Sequence, residues 1–331
     1  MGKTWNWAIL GAGHIARKFA ADLKLLPNAS LYAVGSRSHE RAQVFAAELG
    51  IPNVYGSYEE LAKDPKIDIV YIASWHTSHY RNTLLCLDHG KHVLCEKPAA
   101  INGRQLEIMV QAARTKKLFF MEALWTRFLP SFRRCEDLAA SGVIGELRII
   151  ESDFCMNIPY DPYHRIYNPQ IGGGSLLDIG IYPVFCAMTL GSPITGVTAT
   201  ATMNNTGVDT FCSINGTHRK GERSLLFSTL NAPGRNETLL HGSAGILRLN
   251  SHWHTPTTLD IIRDDETIEQ ILFDEPGNGY QYEAAEVMRC LDEGRMESEL
   301  WSTGHSVRLM QLLDTIRNQA GIVYSPEIEA V

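Results

Sequence analysis

Three short segments carry residue types and spacings that could do chemistry, and the first is rich in glycine. Gly11-Ala-Gly13-His-Ile-Ala16 has the spacing Gly-x-Gly-x-x-Ala. Gly11 allows a tight turn, Gly13 lets a pyrophosphate approach the backbone, and Ala16 lets a helix pack close to the preceding strand. Between a strand and a helix the segment predicts a dinucleotide-binding turn; elsewhere it is an ordinary structural turn.

The second segment, Glu96-Lys97-Pro98, follows a short apolar run over residues 92–95. Such a run predicts a strand, which puts Lys97 at the carboxyl edge of a sheet, where open α/β folds bind their ligands. A lysine there can hold a nicotinamide ribose, a substrate hydroxyl or a proton, and Pro98 restricts the turn that presents it. The tripeptide is common on protein surfaces, so its position alone makes it a candidate.

The third segment is Gly172-Gly-Gly-Ser-Leu-Leu-Asp178-Ile-Gly-Ile-Tyr182-Pro183. A glycine-rich turn opens a predicted helix on which Asp178 and Tyr182, four residues apart, share one face. An acid and a phenol on one face can bind two neighbouring hydroxyl groups, or one of them can carry a proton. The alternative is structural: Asp178 caps a turn, and Tyr182 is a core ring whose hydroxyl is hydrogen-bonded.

The elements around the first two segments alternate between strands and helices. Apolar runs predict strands over 7–10, 31–35, 68–73 and 92–95, and helical spacing predicts helices over 15–26, 40–49 and 79–89. This alternation predicts a parallel, doubly wound sheet, with the Gly11 turn between strand and helix. After about Glu122 the pattern becomes β-rich. We therefore predict a dinucleotide-binding Rossmann domain over 1–122 and a second domain over 123–331.

The end of the second predicted strand bears on the choice of dinucleotide. Enzymes that use NAD usually have Asp or Glu there, to bind the ribose 2′-hydroxyl. This chain has Gly35-Ser36-Arg37-Ser38, followed by Arg41. A hydroxyl and a guanidinium suit a 2′-phosphate, which an acid would repel, so the sequence predicts NADP, with NAD as the alternative. Arg37 as a solvated loop residue is the structural alternative.

The strand that ends at Ala73 leads into another stretch of the same predicted edge, with Ser74, Trp75, His76 and His79. Two histidines could indicate a metal site. However, no third ligand has convincing spacing, and hydride transfer needs no metal. We predict walls of the nicotinamide site here, and no metal.

Composition excludes several classes of protein. The chain has 331 residues, a net charge of −7 and no basic stripe, so nucleic acid is not an expected partner. No uninterrupted apolar run approaches the roughly 18 residues of a membrane span, and the N-terminus lacks the features of a signal peptide. The seven scattered cysteines favour free thiols in a reducing compartment. We expect a cytoplasmic protein without a membrane partner.

Together these segments resemble a known family. The Gly11 turn, Glu96-Lys97-Pro98 and the segment from Gly172 to Tyr182 resemble the glucose-fructose oxidoreductase/inositol dehydrogenase (Gfo/Idh/MocA) family. Residues 55–65, 94–98 and 121–130 are similar, almost residue for residue, to the branch of dimeric dihydrodiol dehydrogenases and NADP-dependent D-xylose 1-dehydrogenases. The resemblance covers nearly the whole chain in the expected order.

The resemblance implies a fold and a set of roles. The expected fold is an N-terminal Rossmann domain followed by an α/β domain with a large, open, mostly antiparallel sheet, which binds substrate and forms a homodimer. Lys97 matches the catalytic lysine of the family, and Asp178 and Tyr182 match its Asp-x-x-x-His/Tyr pair. Trp125, Arg127 and Phe128 are expected to border the cleft between the domains; an aromatic cluster that joins them is the alternative.

The predicted binding residues follow from the motifs and the resemblance together. For the cofactor they are Gly11, Gly13, His14, Ile15, Ala16, Ser36, Arg37, Arg41, Ser74, His76, Glu96, Lys97 and Trp125. For the substrate they are Trp125, Arg127, Phe154, Tyr160, His164, Arg165, Asp178 and Tyr182. The stretch from Tyr160 to Arg165, which includes Tyr163, departs from the dihydrodiol enzymes but keeps an arginine, as in the xylose enzymes.

Tyrosine as a base raises a question of ionisation. A phenol with a pKa of about 10 is a poor base at neutral pH unless a cation stabilises the phenolate. We expect Tyr182 to take the proton from the substrate hydroxyl while hydride passes to nicotinamide C4, with Lys97 supplying the cation. Direct proton transfer to Lys97 is the alternative.

The expected function is therefore that of an NADP-dependent dehydrogenase acting on CH–OH groups. Its substrate would be a cyclic polyol or an aldose, such as a D-xylose-like sugar or a trans-dihydrodiol. A non-catalytic NAD(P)-binding sensor is the alternative, although such a protein would be expected to lose Lys97, Asp178 or Tyr182, and all three are present. A hydrolase or lyase that uses bound NAD transiently is a third alternative, which Ser36 and Arg37 disfavour.

Overall fold

The computed structural model describes residues 3–274 and 276–331. Its strands are β1 Trp5–Leu10, β2 Ala29–Gly35, β3 Asn53–Tyr55, β4 Ile69–Ile72, β5 His92–Glu96, β6 Phe120–Ala123, β7 Leu147–Cys155, β8 Ile194–Met203, β9 Asp209–His218, β10 Arg223–Thr229, β11 Thr238–Gly242, β12 Gly245–Leu249, β13 Leu259–Arg263 and β14 Ile268–Ile271. Its α-helices are α1 His14–Leu23, α2 His39–Leu49, α3 Tyr58–Lys63, α4 His79–Asp88, α5 Gly103–Lys116, α6 Pro130–Ala140, α7 Ile181–Leu190, α8 Tyr280–Asp292, α9 Thr303–Ala320 and α10 Pro326–Glu329.

The chain divides into two compact units. The first comprises residues 3–125, 276–307 and 331, and the second comprises residues 126–274 and 308–330. The boundary thus falls after Trp125 rather than after Glu122, and the predicted second domain over 123–331 is interrupted by a segment that belongs to the first unit. We call the two parts the first unit and the second unit.

The first unit is built on a sheet in the order β3-β2-β1-β4-β5-β6, in which every neighbouring pair is parallel. The four residues of β4 are fully buried, as expected for a strand covered on both faces. The strand–helix alternation and the doubly wound parallel sheet are therefore as predicted, and the carboxyl ends of β1, β2, β4 and β5 lie along one edge.

A buried carboxylate explains why a late segment joins the first unit. Asp22, on α1, is 1% exposed and accepts hydrogen bonds from the backbone N–H groups of Asn278 and Tyr280, each at 2.9 Å from its Oδ2. These N–H groups lie at the start of α8, where an acceptor of negative charge is stabilising. Because donor and acceptor are more than 250 residues apart, no local sequence pattern predicts this contact.

The second unit is built on a sheet in the order β14-β13-β12-β11-β7-β10-β9-β8. Only β7 and β10 pair in parallel; the other neighbouring pairs are antiparallel. Helix α7 packs against β7 and β10. This is the large, mostly antiparallel sheet that the resemblance implied.

The interior holds the cysteines and one long apolar stretch. All seven cysteines are buried and none forms a disulfide, which agrees with the prediction of free thiols. Among the described residues, Pro169–Leu190 is long and apolar enough to cross a membrane by length and composition, and 89% of its most apolar window is buried inside the molecule. Such burial is typical of a core helix.

Candidate active site

The first unit contains a cleft of about 550 Å³ at the carboxyl edge of its parallel sheet. Its lining residues are Gly11, Ala12, Gly13, Ser36, Arg37, Ser38, Arg41, Tyr58, Ala73, Ser74, Trp75, Ser78 and Asn82. They follow β1, β2, β3 and β4, so adjacent strand ends supply one continuous wall. This is where a doubly wound sheet binds its ligand.

The two glycines of the first motif, Gly11 and Gly13, are needed for different structural reasons. Gly11 has φ = +109°, and a Cβ atom there would lie 2.7 Å from the carbonyl oxygen of Ala73. At Gly13 a Cβ atom would have nothing within 4 Å, because it would point into open space beside the cleft. Gly11 is therefore required by the chain itself, whereas Gly13 keeps room for a bound group. The residues fit a dinucleotide pyrophosphate.

Positive charge surrounds the part of the cleft that follows β2. The guanidinium of Arg37 lies 4.9 Å from the ring centroid of Trp75, an arrangement that favours a cation over an aromatic face. Burial raises the pKa of Tyr58, while hydrogen bonding to Arg37 and the charges of Arg37 and Arg41 act to lower it. Both arginines therefore face Tyr58 at one end of the cleft. The arrangement can hold a phosphate dianion.

Lys97 follows β5, and Glu96 beneath it is held from two sides. The Tyr71 hydroxyl donates to Oε1 of Glu96, and the Lys97 backbone N–H donates to Oε2 at 3.2 Å. Burial, followed by the charge of Glu96, raises the pKa of Tyr71 well above its usual range. The Lys97–Pro98 peptide bond is cis. Glu96 is buried, so it supports the turn from within, and Lys97 is half-buried beside it.

His79 links two of these edge segments. The ring is fully buried, with Nδ1 2.8 Å from the Pro98 carbonyl oxygen and Nε2 3.0 Å from the Ser74 carbonyl oxygen. Asn82 on the same helix donates to the Ser74 hydroxyl at 2.9 Å. Burial lowers the pKa of His79. The histidine that the sequence raised as a metal ligand instead binds backbone carbonyls.

The predicted cofactor residues separate into two groups. The cleft includes six of them: Gly11, Gly13, Ser36, Arg37, Arg41 and Ser74. The remaining predicted residues are outside its lining: His14, Ile15, Ala16, His76, Glu96, Lys97 and Trp125. Ala16 is buried under the glycine turn, and Trp125 is 5% exposed and stacks on Tyr280 at 4.3 Å between ring centroids. The stack gives Trp125 a packing role within the first unit.

In the second unit, an ion pair joins two predicted substrate residues. Arg165 donates through both terminal nitrogens to the two carboxylate oxygens of Asp178, each at 3.2 Å. The Asp178 side chain is 7% exposed and that of Arg165 is 54% exposed. The guanidinium thus reaches from solvent to a buried carboxylate, and the bidentate geometry fixes the direction of the Asp178 carboxylate.

The helix that carries this aspartate is not uniform. The sequence predicts a single α-helix with Asp178 and Tyr182 on one face. The structure shows a π-helical turn over Leu176–Gly180, followed directly by α7. Asp178 lies in the π-helical turn and Tyr182 in α7, and both are 5% exposed. Wider turns of this kind occur often at functional sites, and single-sequence periodicity does not reveal them.

Tyr182 belongs to an aromatic cluster with Phe154, Trp253 and His254. Phe154 stacks on His254 with ring centroids 3.9 Å apart, and Tyr182 lies 5.4 Å from Phe154 and 5.5 Å from His254. Trp253 is fully buried, contacts Tyr182 edge-on at 6.5 Å and donates from Nε1 to the Asp153 carbonyl oxygen. The cluster offers flat apolar faces next to a phenol.

Other predicted substrate residues have partners of their own. Arg127 is 8% exposed and donates to Glu136 at 2.8 Å, which gives it an ion pair within the second unit. Tyr160 is exposed and packs edge-on against Tyr167 at 5.2 Å. His164 accepts a hydrogen bond from the Ile166 N–H through Nδ1 at 3.3 Å. The structure therefore brings Phe154 and Tyr182 together, and separately Arg165 and Asp178.

The structure also adds residues that the sequence did not single out. Ser38, Tyr58 and Asn82 line the cofactor cleft, and Trp253 and His254 complete the aromatic cluster. Tyr58 follows β3, a three-residue strand too short for a periodic signal. The run His252-Trp-His254 was the available signal for the second pair, because aromatic residues and histidines in a loop between strands favour binding.

The structure describes possible metal ligands over residues 3–274 and 276–331. No group of three or more His, Cys, Asp or Glu side chains in these ranges is placed to hold a metal ion.

Comparison with known proteins gives matches along the chain. The family described as "Oxidoreductase family, NAD-binding Rossmann fold" (Gfo/Idh/MocA) matches residues 5–124, and the Gfo/Idh/MocA C-terminal domain matches residues 132–248. A trans-1,2-dihydrobenzene-1,2-diol dehydrogenase from Xenopus laevis is 37% identical, and the match covers 96% of this chain and 99% of the relative. The dehydrogenase of the same name from Homo sapiens is 34% identical, and that match covers 96% of this chain and 98% of the relative.

A solved structure agrees with these matches. KijD10, a 3-ketoreductase from Actinomadura kijaniata in complex with NADP and TDP-benzene, is 28% identical with a TM-score of 0.86, covering 98% of this chain and 100% of the other. The predictions of fold class and of an NAD(P)-dependent oxidoreductase are confirmed. Since the two family matches cover most of the sequence and the relatives align over nearly all of it, this chain belongs to the Gfo/Idh/MocA family of oxidoreductases.

Proposed function

We propose that the protein catalyses the NADP-dependent oxidation of a cyclic polyol or an aldose, such as a D-xylose-like sugar or a trans-dihydrodiol. The observation that carries the proposal is the retention of Lys97, Asp178 and Tyr182 in a chain that also has the cofactor cleft. A protein that only sensed the dinucleotide would need the cleft and none of the three. The dehydrogenase names of its relatives support the same reaction class.

The preference for NADP rests on charge. Ser36, Arg37 and Arg41 line the cleft after β2, and the residues from Gly35 to Ser38 include no acid. A 2′-phosphate there would gain a charge-assisted hydrogen bond from a guanidinium, and no carboxylate would repel it. The NADP bound by the 3-ketoreductase of similar fold supports this choice.

The second unit supplies both polar and apolar contacts for a ring-shaped substrate. The Arg165–Asp178 pair offers a guanidinium and a carboxylate to neighbouring hydroxyl groups. The faces of Phe154 and His254 suit the C–H side of a sugar or an unsaturated ring. A cyclic diol carries both kinds of surface, which is why we propose it over a linear, uniformly polar substrate.

The chemistry divides between cofactor and protein. A bound oxidised nicotinamide would supply the hydride acceptor, at its C4 atom. Tyr182 takes the hydroxyl proton, and the electron pair of the broken O–H bond forms the carbonyl, while the two electrons of the oxidation would leave the carbon with the hydride. Asp178 accepts a hydrogen bond from a substrate hydroxyl group and thereby orients the substrate. A phenol needs a nearby cation to act as a base at neutral pH, and Lys97 is the residue we propose for that role. Direct proton transfer to Lys97 is the alternative.

The test is a comparison of Tyr182→Phe with Lys97→Met in an assay of NADP reduction at 340 nm, with D-xylose, inositols and aromatic trans-dihydrodiols as substrates. We expect wild-type turnover with one of these classes. Tyr182→Phe should lower kcat about 100-fold or more at unchanged NADP affinity, because general base catalysis contributes at least that much. An unchanged kcat in Tyr182→Phe, together with a large loss in Lys97→Met, would assign the proton to Lys97.

The same assay separates an enzyme from a sensor. Tight NADP binding without turnover across the whole panel would contradict the proposed substrates and favour a regulatory NAD(P)-binding protein. Binding is measured independently, by quenching of tryptophan fluorescence on titration with NADP.

We also propose a cytoplasmic homodimer that acts on a small molecule without nucleic acid or membrane partners. The free cysteines support the compartment. The outer face of the second-unit sheet supports the dimer, because Ile149 and Leu225 are exposed there on the adjacent strands β7 and β10. Light scattering of wild type and of Leu225→Glu tests this assembly: we expect twice the chain mass for wild type and a shift towards one chain for the variant.

A further inference from the structure

We propose that Asp209 is a positioning residue for this site: its buried carboxylate, at the start of β9, holds the first turn of the helical segment that carries Asp178 and Tyr182. The role in turnover rests on the proposed function. The structural role rests on contacts within the second unit alone and is tested by an exchange measurement that needs no substrate.

The central contact is a strong hydrogen bond to a helix end. Asp209 is fully buried, and its Oδ2 accepts from the backbone N–H of Leu176 at 2.6 Å. Leu176 begins the π-helical turn, and the residue before it makes no side-chain cap of its own. The first N–H groups of a helix need acceptors, and here a strand 33 residues further along the chain supplies one.

Two further contacts hold the residues just before that turn. The Tyr324 hydroxyl donates to the Gly173 carbonyl oxygen at 3.0 Å, and the hydroxyls of Ser175 and Ser228 lie 2.5 Å apart. Three separate parts of the chain therefore fix residues 173, 175 and 176. Of these three contacts, only the one made by Asp209 involves a carboxylic acid, so only that contact should respond to pH near neutrality.

The glycine run explains how the carboxylate comes so close. Gly174 has φ = +128°, and a Cβ atom there would lie 2.3 Å from Oδ1 of Asp209. The absence of a side chain at this position lets the carboxylate occupy the space next to the turn. The close approach of the Asp209 carboxylate therefore explains why the third glycine of the segment, Gly174, carries no side chain.

The surroundings of Asp209 set how it titrates. Burial raises the pKa of this carboxyl to about 7, against the hydrogen bonds from Leu176 and Ser175 and the charge of Arg317. The other ionisable groups that face it are Tyr324 and Cys212, whose pKa values are raised by burial and by the charge of Asp209. Because the folded protein holds this proton more tightly than the unfolded chain does, the stability that Asp209 contributes should be present at low pH and fall as the pH rises through about 7.

The experiment compares Asp209→Ala, which removes the acceptor, with Asp209→Asn, which keeps an acceptor oxygen but cannot ionise. Asp260→Asn is the control, because Asp260 is an equally buried acid of the second unit, bound to Arg248 on the neighbouring strand. Hydrogen–deuterium exchange of the peptide spanning 172–186 is followed at pH 6 and pH 8. The kinetic constants for substrate and the dissociation constant for NADP are measured over the same range.

We expect Asp209→Ala to exchange faster over 172–186 and to lower kcat/KM for the substrate about 5- to 10-fold, with NADP affinity unchanged. Asp209→Asn should retain most of the activity and lose an inflection near pH 7 that wild type and Asp260→Asn show. If Asp209→Ala does not fold, the pH profile of Asp209→Asn decides.

Two outcomes overturn the inference: unchanged exchange over 172–186 in Asp209→Ala, or an inflection near pH 7 that persists in Asp209→Asn. A wild-type protein that turns over no sugar or diol would contradict the proposed function alone, because the exchange measurement needs no substrate.

Discussion

The two units build their candidate sites in opposite ways. In the first unit the cleft consists of backbone and small side chains at successive strand ends, and most of its lining comes from three short segments, 11–13, 36–41 and 73–78. In the second unit the candidate residues come from β7, the loop before Gly172, a π-helical turn, the helix α7 and the loop that follows β12. The cleft of the first unit therefore depends on the path of the backbone, whereas the candidate site of the second unit depends on pairs of side chains.

This difference predicts how each site fails. A site made of backbone is sensitive to a single methyl group, because the chain cannot move without breaking the sheet. A site made of side-chain pairs loses specificity or rate when one partner is removed, while the fold persists.

The largest effect is expected for Gly11→Ala compared with Gly13→Ala. At position 11 the new methyl group meets the Ala73 carbonyl at 2.7 Å on a backbone with positive φ, so we expect a loss of about 3 kcal/mol in the free energy of unfolding and no measurable NADP binding. At position 13 there is room for the methyl group, so stability should hold while NADP affinity falls at least 10-fold. Thermal unfolding and fluorescence titration measure the two effects.

Equal stability of the two variants would show that the turn at Gly11 tolerates displacement. The backbone of the first unit's cleft would then tolerate substitution as well as the side-chain pairs of the second unit do, which would contradict the proposed difference between the two sites.

The sequence predicted the first unit well because its signals are local. The Gly11 turn, Lys97 and the strands on either side follow one another within about 90 residues, and each strand is a short buried apolar run. The sequence did not indicate Tyr58, because the strand before it, β3, is too short to produce such a local pattern. Trp125 stays a predicted binding residue, and its stacking on Tyr280, 155 residues further along the chain, could not be predicted from a local pattern.

The second unit could be predicted only in outline. The β-rich composition and the resemblance gave its sheet, and the glycine-rich segment gave Asp178 and Tyr182. The bidentate pair of Arg165 with Asp178, the stack of Phe154 on His254 and the cap from Asp209 depend on how strands are ordered in the sheet. Periodicity contains no information on that order, because it describes one element at a time.

Charge in the cofactor cleft should give the next largest effect. Arg37→Asp places an acid where a 2′-phosphate would bind, so we expect NADP to bind about 100-fold more weakly and NAD to bind equally well or better, because an acid accepts from the 2′-hydroxyl. Arg133→Asp, the same charge change on an exposed residue of the second unit, is the control. Parallel loss of both dinucleotides in Arg37→Asp would mean that Arg37 supports the fold of the loop instead.

In the second unit, removal of one member of an ion pair should affect the substrate alone. Arg165→Gln leaves the Asp178 carboxylate without its bidentate partner, so we expect KM for the substrate to rise about 10-fold at unchanged NADP affinity. Because Arg165 is half-exposed, the change in unfolding free energy should stay below about 1 kcal/mol. Steady-state kinetics and thermal unfolding check both parts, and a large loss of stability would contradict the division between backbone and side-chain sites.

The smallest effect on function is expected at a buried acid of the first unit. Glu283 is fully buried, and neither carboxylate oxygen has a hydrogen-bond partner within the described part of the chain. Burial, then the charges of Glu96 and Asp22, raise its pKa well above the usual range. The folded protein therefore keeps this proton while the unfolded chain releases it above about pH 4.5. Wild-type stability contributed by Glu283 should be present at low pH and fall as the pH rises.

Glu283→Gln cannot ionise, so its advantage over wild type in unfolding free energy should grow steadily from pH 5 to pH 8. Turnover should change by less than about twofold, since the group lies in the interior and lines no part of the cofactor cleft. Asp209 in the second unit is the matched case, because it is also a fully buried acid with a raised pKa, but it holds the helix that carries the candidate residues. A difference in unfolding free energy between Glu283→Gln and wild type that does not change with pH would contradict the raised pKa. A change in kcat/KM at Glu283 as large as that at Asp209 would show that burial alone, and not contact with the helix that carries the candidate residues, links a buried acid to turnover.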